Sequence, residues 1–428
     1  MTTKIRLNGG IDIGNGYVKA VIENANKDDS RDIVDMPSSV AVLTRPNQLP
    51  TADGDAVLAL ADGALYNRLD ASFGTPLVPD THRRVFGERS LTADGAFEEF
   101  DTVGRASKAK QPLSKVLALG IFAAKALADY VAENGELPAD ELKVTVRAAL
   151  ALPVNEFLRH RDTYASEFLN SGRSHLVVIE NFETKVVVRI TFEDVQVIAE
   201  GASAQYAIVA KGVVLMDHML ADVRSRDNAP DLEGITSTDV LAATNTIGID
   251  IGEGTSGIVT FSNGHFNVEA SQVFTKGYGS VLLGAIKAME DQGIESGFHS
   301  RKELAAFLQA RPSALKRAFY DRVQQFVAQE TEFFVAELIE HLGGVLRNVG
   351  AVTEVAYVYG GGSGPVKSAL YPVLLKKVAE MNSLSVFPVL YLDSSYSRHL
   401  NREGLFIAVK AVEAQAKALK RVQVEATA

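Results

Sequence analysis

The sequence predicts an α/β chain of two related domains, and two observations carry that expectation. A pattern of buried strand, glycine-rich turn and second strand occurs twice, as Gly10-Ile-Asp12-Ile-Gly14-Asn15-Gly16-Tyr-Val-Lys19 and as Thr246-Ile-Gly-Ile-Asp250-Ile-Gly252-Glu253-Gly254-Thr255-Ser-Gly257. The chain also runs to 428 residues, beyond the size at which one core stops growing, so two domains of roughly 200 residues each are expected. In both copies an apolar run puts an aspartate at a strand end. The glycines that follow permit positive φ and remove side chains that would hold a phosphate off the backbone N–H groups. Two such hairpins point to two half-molecules that close on one nucleotide.

Composition narrows the function. A hydrophobic content of 46% against 22% charged residues supports two buried cores, and a net charge of −10 argues against direct nucleic-acid binding, which basic side chains dominate. The chain has no cysteine, which excludes disulfides and thiolate metal sites and fits a reducing cytoplasm. Residues 1–8 lack the layout of a signal peptide. The most apolar stretch, Val116 to Val131, carries Lys125 and Asp129 and reads as a helix of a soluble, cytoplasmic protein with no membrane partner.

Taken in order, residues 4–24 alternate as a strand pair around Asp12, and Lys19 on the second strand can turn back to the same ligand as the turn. Residues 26–111 are rich in Asp, Gly, Pro and Arg and suggest a small inserted subdomain, with Thr81–Arg89 as solvated, mixed-charge surface. Leu113 to Asn134 has helical spacing and stops at Gly135. A strand from Lys143 is halted by Pro153 and followed by a helix to about Leu169. Val177–Ile179 and Lys185–Phe192 read as a hairpin, and Val195–Glu200 as a further strand. Glu200 stands where that strand turns into a helix, serving either a cleft or the helix dipole. Residues 212–245 read as a surface loop.

Past the second hairpin, Gly277-Tyr-Gly-Ser280 precedes a helix whose amino end faces an anion or is simply capped by Ser280. Helical periodicity over Arg301–Val349 places Phe326, Phe333, Phe334, Leu338 and Leu342 in a core. Gly360, Gly361 and Gly362 follow a buried strand and let the backbone lie flat against a ligand, with Pro365 in the next helical turn. Gly404 opens a last apolar helix, whose tail lacks bulky apolar anchors.

The order of these elements resembles the actin, hexokinase and Hsp70 superfamily. Five landmarks fall in its sequence: a first phosphate loop at Asp12–Lys19, a connection at Glu200–Ala204, a second phosphate loop at Asp250–Thr255, an adenosine motif at Gly360–Gly362, and a second connection around Gly404. Within it the chain looks most like plasmid-segregation actins of the ParM/StbA type and the related archaeal actins. Leu152-Pro153-Val-Asn-Glu156-Phe157, Glu200-Gly-Ala-Ser-Ala, Tyr359-Gly-Gly-Gly and Asn401-Arg-Glu-Gly404-Leu-Phe join the two loops in carrying that likeness.

The resemblance implies a two-domain, ribonuclease-H-like ATPase fold with the nucleotide in the interdomain cleft. Its first domain would comprise residues 1–205 and about 385–428, with a subdomain inserted over about 30–110, and its second 206–384. It implies ATP and ADP as ligands, with Mg²⁺ held by Asp12 and Asp250 mainly through water. Gly14, Asn15, Gly16, Gly252, Glu253, Gly254 and Thr255 would cradle phosphates, Lys19 would add a charge, and Gly277, Gly360, Gly361 and Gly362 would line the rest of the site. Glu200 would orient the attacking water, with Asp12 and Asp250 completing the catalytic set. Two departures stand out. Glu253 puts an acid in the second loop, where it can share the role of Glu200, and the regions 45–111 and 200–250 are longer than the compact form of the family.

The expected function is therefore an ATP-hydrolysing, filament-forming protein that positions plasmid or other extrachromosomal DNA through an adaptor bound to a centromere-like site. Two rivals stand beside it. One is a soluble small-molecule kinase of the same superfamily, for which the chain shows no substrate motif. The other is a cell-shape or division scaffold, which would call for an amphipathic membrane helix.

Overall fold

The alternation of residues 5–24 folds into an antiparallel pair, β1 (Ile5–Ile13) and β2 (Tyr17–Asn24), with Asp12 opposite Lys19. The computed structural model describes residues 4–43, 60, 64–101, 107–226, 232–381, 387–392 and 394–427. The chain divides into two compact units, Met1–Ala207 with Asn401–Ala428, and Ile208–Leu400.

The first unit is built on one sheet. It adds β3 (Asp32–Pro37), β4 (Ser39–Val42), β5 (Asp70–Gly74), β6 (Arg84–Phe86), β7 (Ala96–Glu99), β8 (Leu142–Leu152), β9 (His175–Ile179) and β10 (Val186–Ala199) in the order β3-β2-β1-β8-β10-β9-β5-β6-β4-β7. β1, β8 and β10 run parallel at its centre. Successive glycines of β1 face opposite sides of the sheet. A Cβ at Gly9 would meet Phe122 of helix α1 (Pro112–Asn134) at 2.6 Å, and one at Gly10 would meet the backbone of Phe406 at 2.3 Å. Thus β1 admits α1 on one face and the C-terminal helix, Leu400–Thr427, on the other.

Several expectations change here. The strands read at 185–192 and 195–200 are one strand, β10, with a register shift between Phe192 and Asp194. The described strands of the region 30–110 pair into the main sheet, β3 beside β2 and β5 beside β9. Residues 44–59, 61–63 and 102–106 of that region lie outside the described residues. Thr81–Arg89 is not solvated throughout: Arg83 makes a bidentate pair with buried Asp70, 2.6 and 2.7 Å, and buried Arg84 pairs with Asp80.

As expected, α1 ends on Gly135 in the left-handed conformation, and β8 stops before Pro153, which caps α2 (Val154–Leu169). The reading of 212–245 as a loop is corrected. Helix α3 (Ala202–Arg224) runs to Arg224 through a break at Gly212, where φ is 67°, and α4 (Ser237–Ala242) carries a Thr236–Asp239 capping box. Asp227 and Pro230 of this stretch lie outside the described residues.

The second unit repeats the central motif. β11 (Thr246–Ile251) pairs antiparallel with β12 (Ser256–Ser262), as β1 does with β2, and parallel with a later strand. With β13 (His265–Phe266), β14 (Gln272–Phe274), β15 (Val355–Tyr359) and β16 (Val389–Tyr391) the sheet order is β13-β12-β11-β15-β16, and β14 joins β12. Helices α5 (Tyr278–Asp291), α6 (Arg301–Gln309), α7 (Arg317–Val349) and α8 (Ser363–Met381) complete it. Phe334, Leu338 and Leu342 of α7 pack with Ile247, Ile249 and Val358, whereas Phe333, expected in the core, is 65% exposed. Parallel pairing with β15 puts β16 in this unit, although the boundary expected near 385 assigned it to the first domain. The N-cap of α5 is Gly277, not Ser280, whose hydroxyl donates back to the Gly277 carbonyl. Among the described residues, no helix is long and apolar enough to cross a membrane.

The C-terminal helix is anchored at its start, ahead of the tail. Leu405, Phe406 and Val409 are buried, and Glu413, 4% exposed, accepts from Asn8 and Lys410 and pairs with Lys417 at 2.8 Å. Burial works against ionisation, but these two lysines hold the Glu413 carboxyl down to about 2. A depressed carboxyl contributes stability that is full above its unfolded value and disappears as pH falls through the folded one. Glu413→Gln is expected to lower the unfolding free energy by about 2–3 kcal/mol at neutral pH, with the gap from wild type closing toward pH 2, as urea titrations across pH would measure.

Candidate functional site

Each glycine-rich turn is closed in the same way. In the first, the Gly14 N–H donates to the Tyr17 carbonyl at 3.0 Å, and in the second the Gly252 N–H donates to the Thr255 carbonyl at 2.9 Å. A Cβ at Gly14 or Gly252 would come within 2.8 Å of that same carbonyl, so close approach is what demands glycine there. Neither turn contains a positive-φ residue, which corrects the conformational reason expected for its glycines. The amides of Gly14 and Gly252 are also spent inside the turns rather than open to a phosphate.

What the turns do with their carbonyls decides their chemistry. Ser38, at the β3–β4 junction, donates its N–H to the Gly16 carbonyl at 2.9 Å and its hydroxyl to the Gly14 carbonyl at 2.6 Å. In the second turn the Tyr278 and Gly279 N–H groups, at the start of α5, donate to the Gly252 and Glu253 carbonyls at 3.0 and 2.8 Å. Among the described residues, no hydrogen bond uses the N–H groups of Asn15, Gly16, Glu253 or Gly254. Each turn therefore keeps two amides outside its own hydrogen bonds, on partly exposed residues at Asn15, Glu253 and Gly254 and on a buried one at Gly16. The amino end of α5 is consumed by the turn instead of facing an anion. Gly277 is a packing glycine, since a Cβ there would stand 2.5 Å from the Gly252 carbonyl.

Buried aspartates precede both turns: Asp12 is 5% and Asp250 8% exposed. Asp12 lies opposite Lys19, and Lys19 opposite Asp35, giving an acid–base–acid row across three strands. The equivalent of Lys19 in the second copy is Gly257, so only the first turn carries a cation at this position. Glu253 does not stand free, because Arg301 at the start of α6 pairs with it at 2.7 Å.

The glycine triplet divides by role. Gly360 has φ 99°, and a Cβ there would lie 2.4 Å from Asp250 Oδ1. A Cβ at Gly362 would lie 2.8 Å from Tyr278 Cβ, and its N–H donates to the Ile251 carbonyl. Both glycines thus pack the triplet onto the Asp250 turn. Of the three, Gly361 leaves open space, since a Cβ there would meet nothing within 4 Å.

Glu200 follows β10, its N–H bonded to the Leu152 carbonyl at 2.8 Å. Its carboxylate accepts from Lys108 Nζ at 2.5 Å. Lys108 is 5% exposed. Burial alone would lower its basicity, but the charges of Glu200, Asp12 and Glu156 win and hold the ammonium above its usual range. Sequence reading missed Lys108, Ser38 and Arg301, whose partners lie 92, 24 and 48 positions away or belong to backbone, and no local spacing signals them.

Residues 10–202 match the family of the N-terminal domain of actin-like proteins. The chain is also similar to several solved structures over nearly its whole length. The actin-like protein Alp7A is matched with a TM-score of 0.63 at 15% identity, over 98% of this chain and 100% of that one. The archaeal actin homologue Ta0583 gives 0.59 at 13% over 95% and 99%, and Bacillus thuringiensis ParM with ATP gives 0.56 at 16% over 96% and 99%. Identities this low speak for the fold, and the fold is actin-like, as the sequence led us to expect. No curated protein sequence matches the chain.

The division of the triplet can be checked by unfolding. Gly360→Ala should cost about 3 kcal/mol, because the added methyl meets Asp250 with the backbone already at positive φ. Gly361→Ala should cost less than ~1 kcal/mol. Urea midpoints of the two variants that move equally would overturn this assignment.

Proposed function

We propose that this chain, actin-like in fold and in the family of its residues 10–202, binds Mg²⁺-ATP, assembles into filaments and hydrolyses the nucleotide as the filament ages. One observation carries the reading: two turns, each following a buried aspartate, have their carbonyls bonded to the scaffold and two amides left over. The amides of Asn15, Gly16, Glu253 and Gly254 would receive phosphate oxygens, with Lys19 as a point charge. Among the described residues no three acidic or imidazole side chains converge as a direct metal site. Asp12 and Asp250 would accordingly hold Mg²⁺ largely through water, and the ion would neutralise phosphate charge. Gly361 offers open backbone to the nucleoside.

For the hydrolytic step, Glu200 is the better candidate than Glu253. Both carboxylates are paired, Glu253 with Arg301 and Glu200 with Lys108, but Glu200 shares its lysine's field with Asp12, the aspartate of the first turn. Hydrolysis of the terminal phosphate asks chiefly for an oriented water and stabilised charge, which a restrained carboxylate and a set of fixed amides supply.

Self-association is supported by likeness to actin-like relatives, one of them solved with ATP, ADP and AMPPNP. The cellular task we assign is positioning of plasmid or similar DNA in the cytoplasm. A chain with a net charge of −10 would reach DNA through a basic adaptor bound to a centromere-like site rather than by touching it.

The test joins sedimentation to phosphate release in samples holding Mg²⁺-ATP, Mg²⁺-ADP or no nucleotide. Pelleting should require ATP, with phosphate release lagging assembly. Glu200→Ala should slow release by about 100-fold while the protein still pellets. Protein that turns over ATP yet stays in the supernatant at every concentration would overturn the filament reading and direct attention to hydroxyl acceptors.

A further inference from the structure

Lys108 is a buried charge of the first unit. A buried ammonium forfeits hydration worth several kcal/mol, and fixing a lysine side chain costs rotamer freedom as well. Replacing a buried ion pair by apolar groups is often neutral or stabilising, so folding alone gives little reason to keep this one. The charge is nevertheless held in place from two sides. It sits on a short turn, Lys108–Lys110, entered through Ser107. Glu156, in the first turn of α2, accepts from the Ser107 hydroxyl at 2.6 Å, the Lys108 N–H at 3.0 Å and the Ala109 N–H at 2.9 Å. Lys115 of α1, itself buried and paired with Glu167 at 3.2 Å, donates to the Ala109 carbonyl.

Those contacts fix a backbone whose buried lysine, Lys108, reaches the carboxyl ends of the parallel strands. Asp12 closes β1, α2 begins where β8 ends, and Glu200 follows β10. Lys108 feels all three acids and bonds to one of them, Glu200. A carboxylate with one oxygen tied to a fixed ammonium has lost its freedom to rotate, so its remaining oxygen keeps one direction. That restraint is what water orientation requires.

We propose that Lys108 is a positioning residue that holds Glu200 for hydrolysis, and that the turn clamped by Glu156 and Lys115 exists to present it. The proposal rests on the ATPase reading and names how its carboxylate is aimed. It makes Lys108 act through Glu200, which separates it both from a phosphate ligand and from a purely structural ion pair.

A double-mutant cycle tests it. Lys108→Met, Glu200→Gln and the double variant are compared for phosphate release, for affinity toward a fluorescent ATP analogue, and for ATP-dependent pelleting. Lys108→Met should slow release by about 30-fold and Glu200→Gln by about 100-fold, and the double variant should be no slower than Glu200→Gln alone. Analogue affinity should stay within about threefold of wild type and pelleting should persist, as a residue acting on a carboxylate and not on the nucleotide requires. The melting temperature should fall in Lys108→Met, which strands buried acids, and recover in the double variant. Should Lys108→Met fail to fold, Lys108→Gln keeps an N–H donor to Glu200 without the charge and takes its place in the cycle. Multiplied losses in the double variant, wild-type release by the single variant, or affinity falling in step with release would each overturn the proposal while leaving the ATPase reading intact. A wild-type protein that binds the analogue and releases no phosphate would instead overturn the ATPase reading itself.

Discussion

Ser38 donates from both its backbone and its side chain to the carbonyls of the first glycine turn, and the first N–H groups of α5 do the same for the second. A connection of three or four residues between two strands has more polar backbone groups than the ladder can use, and burying them unpaired is costly. Here the acceptors are satisfied from behind, so the donors are left in front. The donors left over belong to main chain, and the turns that present them require glycine at Gly14 and Gly252. The same requirement explains the surrounding glycines. Gly277 and Gly362 lack side chains because the structures that bond to the second turn must approach it within van der Waals distance.

The acidic groups beside these turns create the opposite problem. Asp12 is buried at a strand end with Glu200 and Glu156 nearby, and carboxylates taken from water repel one another unless cations share the site. Lys19 meets this from the neighbouring strand and Lys108 from a separate turn. The region after β3 thereby acquires a structural reason for its length. It carries Ser38, which sets the carbonyls, and Lys108, which offsets the acids, and its strands are anchored by pairing into the main sheet.

Much of the scaffold was legible because it depends on local pattern. The two hairpins, α1 with its Gly135 stop, the halt of β8 at Pro153 and the strand before Gly360 all follow from apolar spacing and turn chemistry. The errors have physical causes of two kinds. Phe333 and Ser280 were misplaced because periodicity and capping preference each allow neighbouring positions, and packing makes the choice. Long-range pairing was invisible for another reason. Nothing in Thr81–Arg89 shows that Arg83 finds Asp70, nor in Val389–Tyr391 that it joins β15, because those partners are brought together only by the folded sheet. The candidate site splits along the same line. Its aspartates and glycines could be read directly, whereas Lys108 and Arg301, which decide what Glu200 and Glu253 are free to do, could not.

The two turns share a backbone design and differ in charge, and that difference is informative about their division of labour. Around Asp12 stand Lys19 and Lys108, both side chains whose removal would leave the main-chain geometry unchanged in principle. Around Asp250 the corresponding strand position is Gly257, Gly360 presses its backbone against the carboxylate, and the one acid within the turn is neutralised by Arg301. Both turns demand glycine at their first position, Gly14 and Gly252, and they differ in the lysines that stand beside Asp12 and in the close backbone packing that Gly360 brings to Asp250.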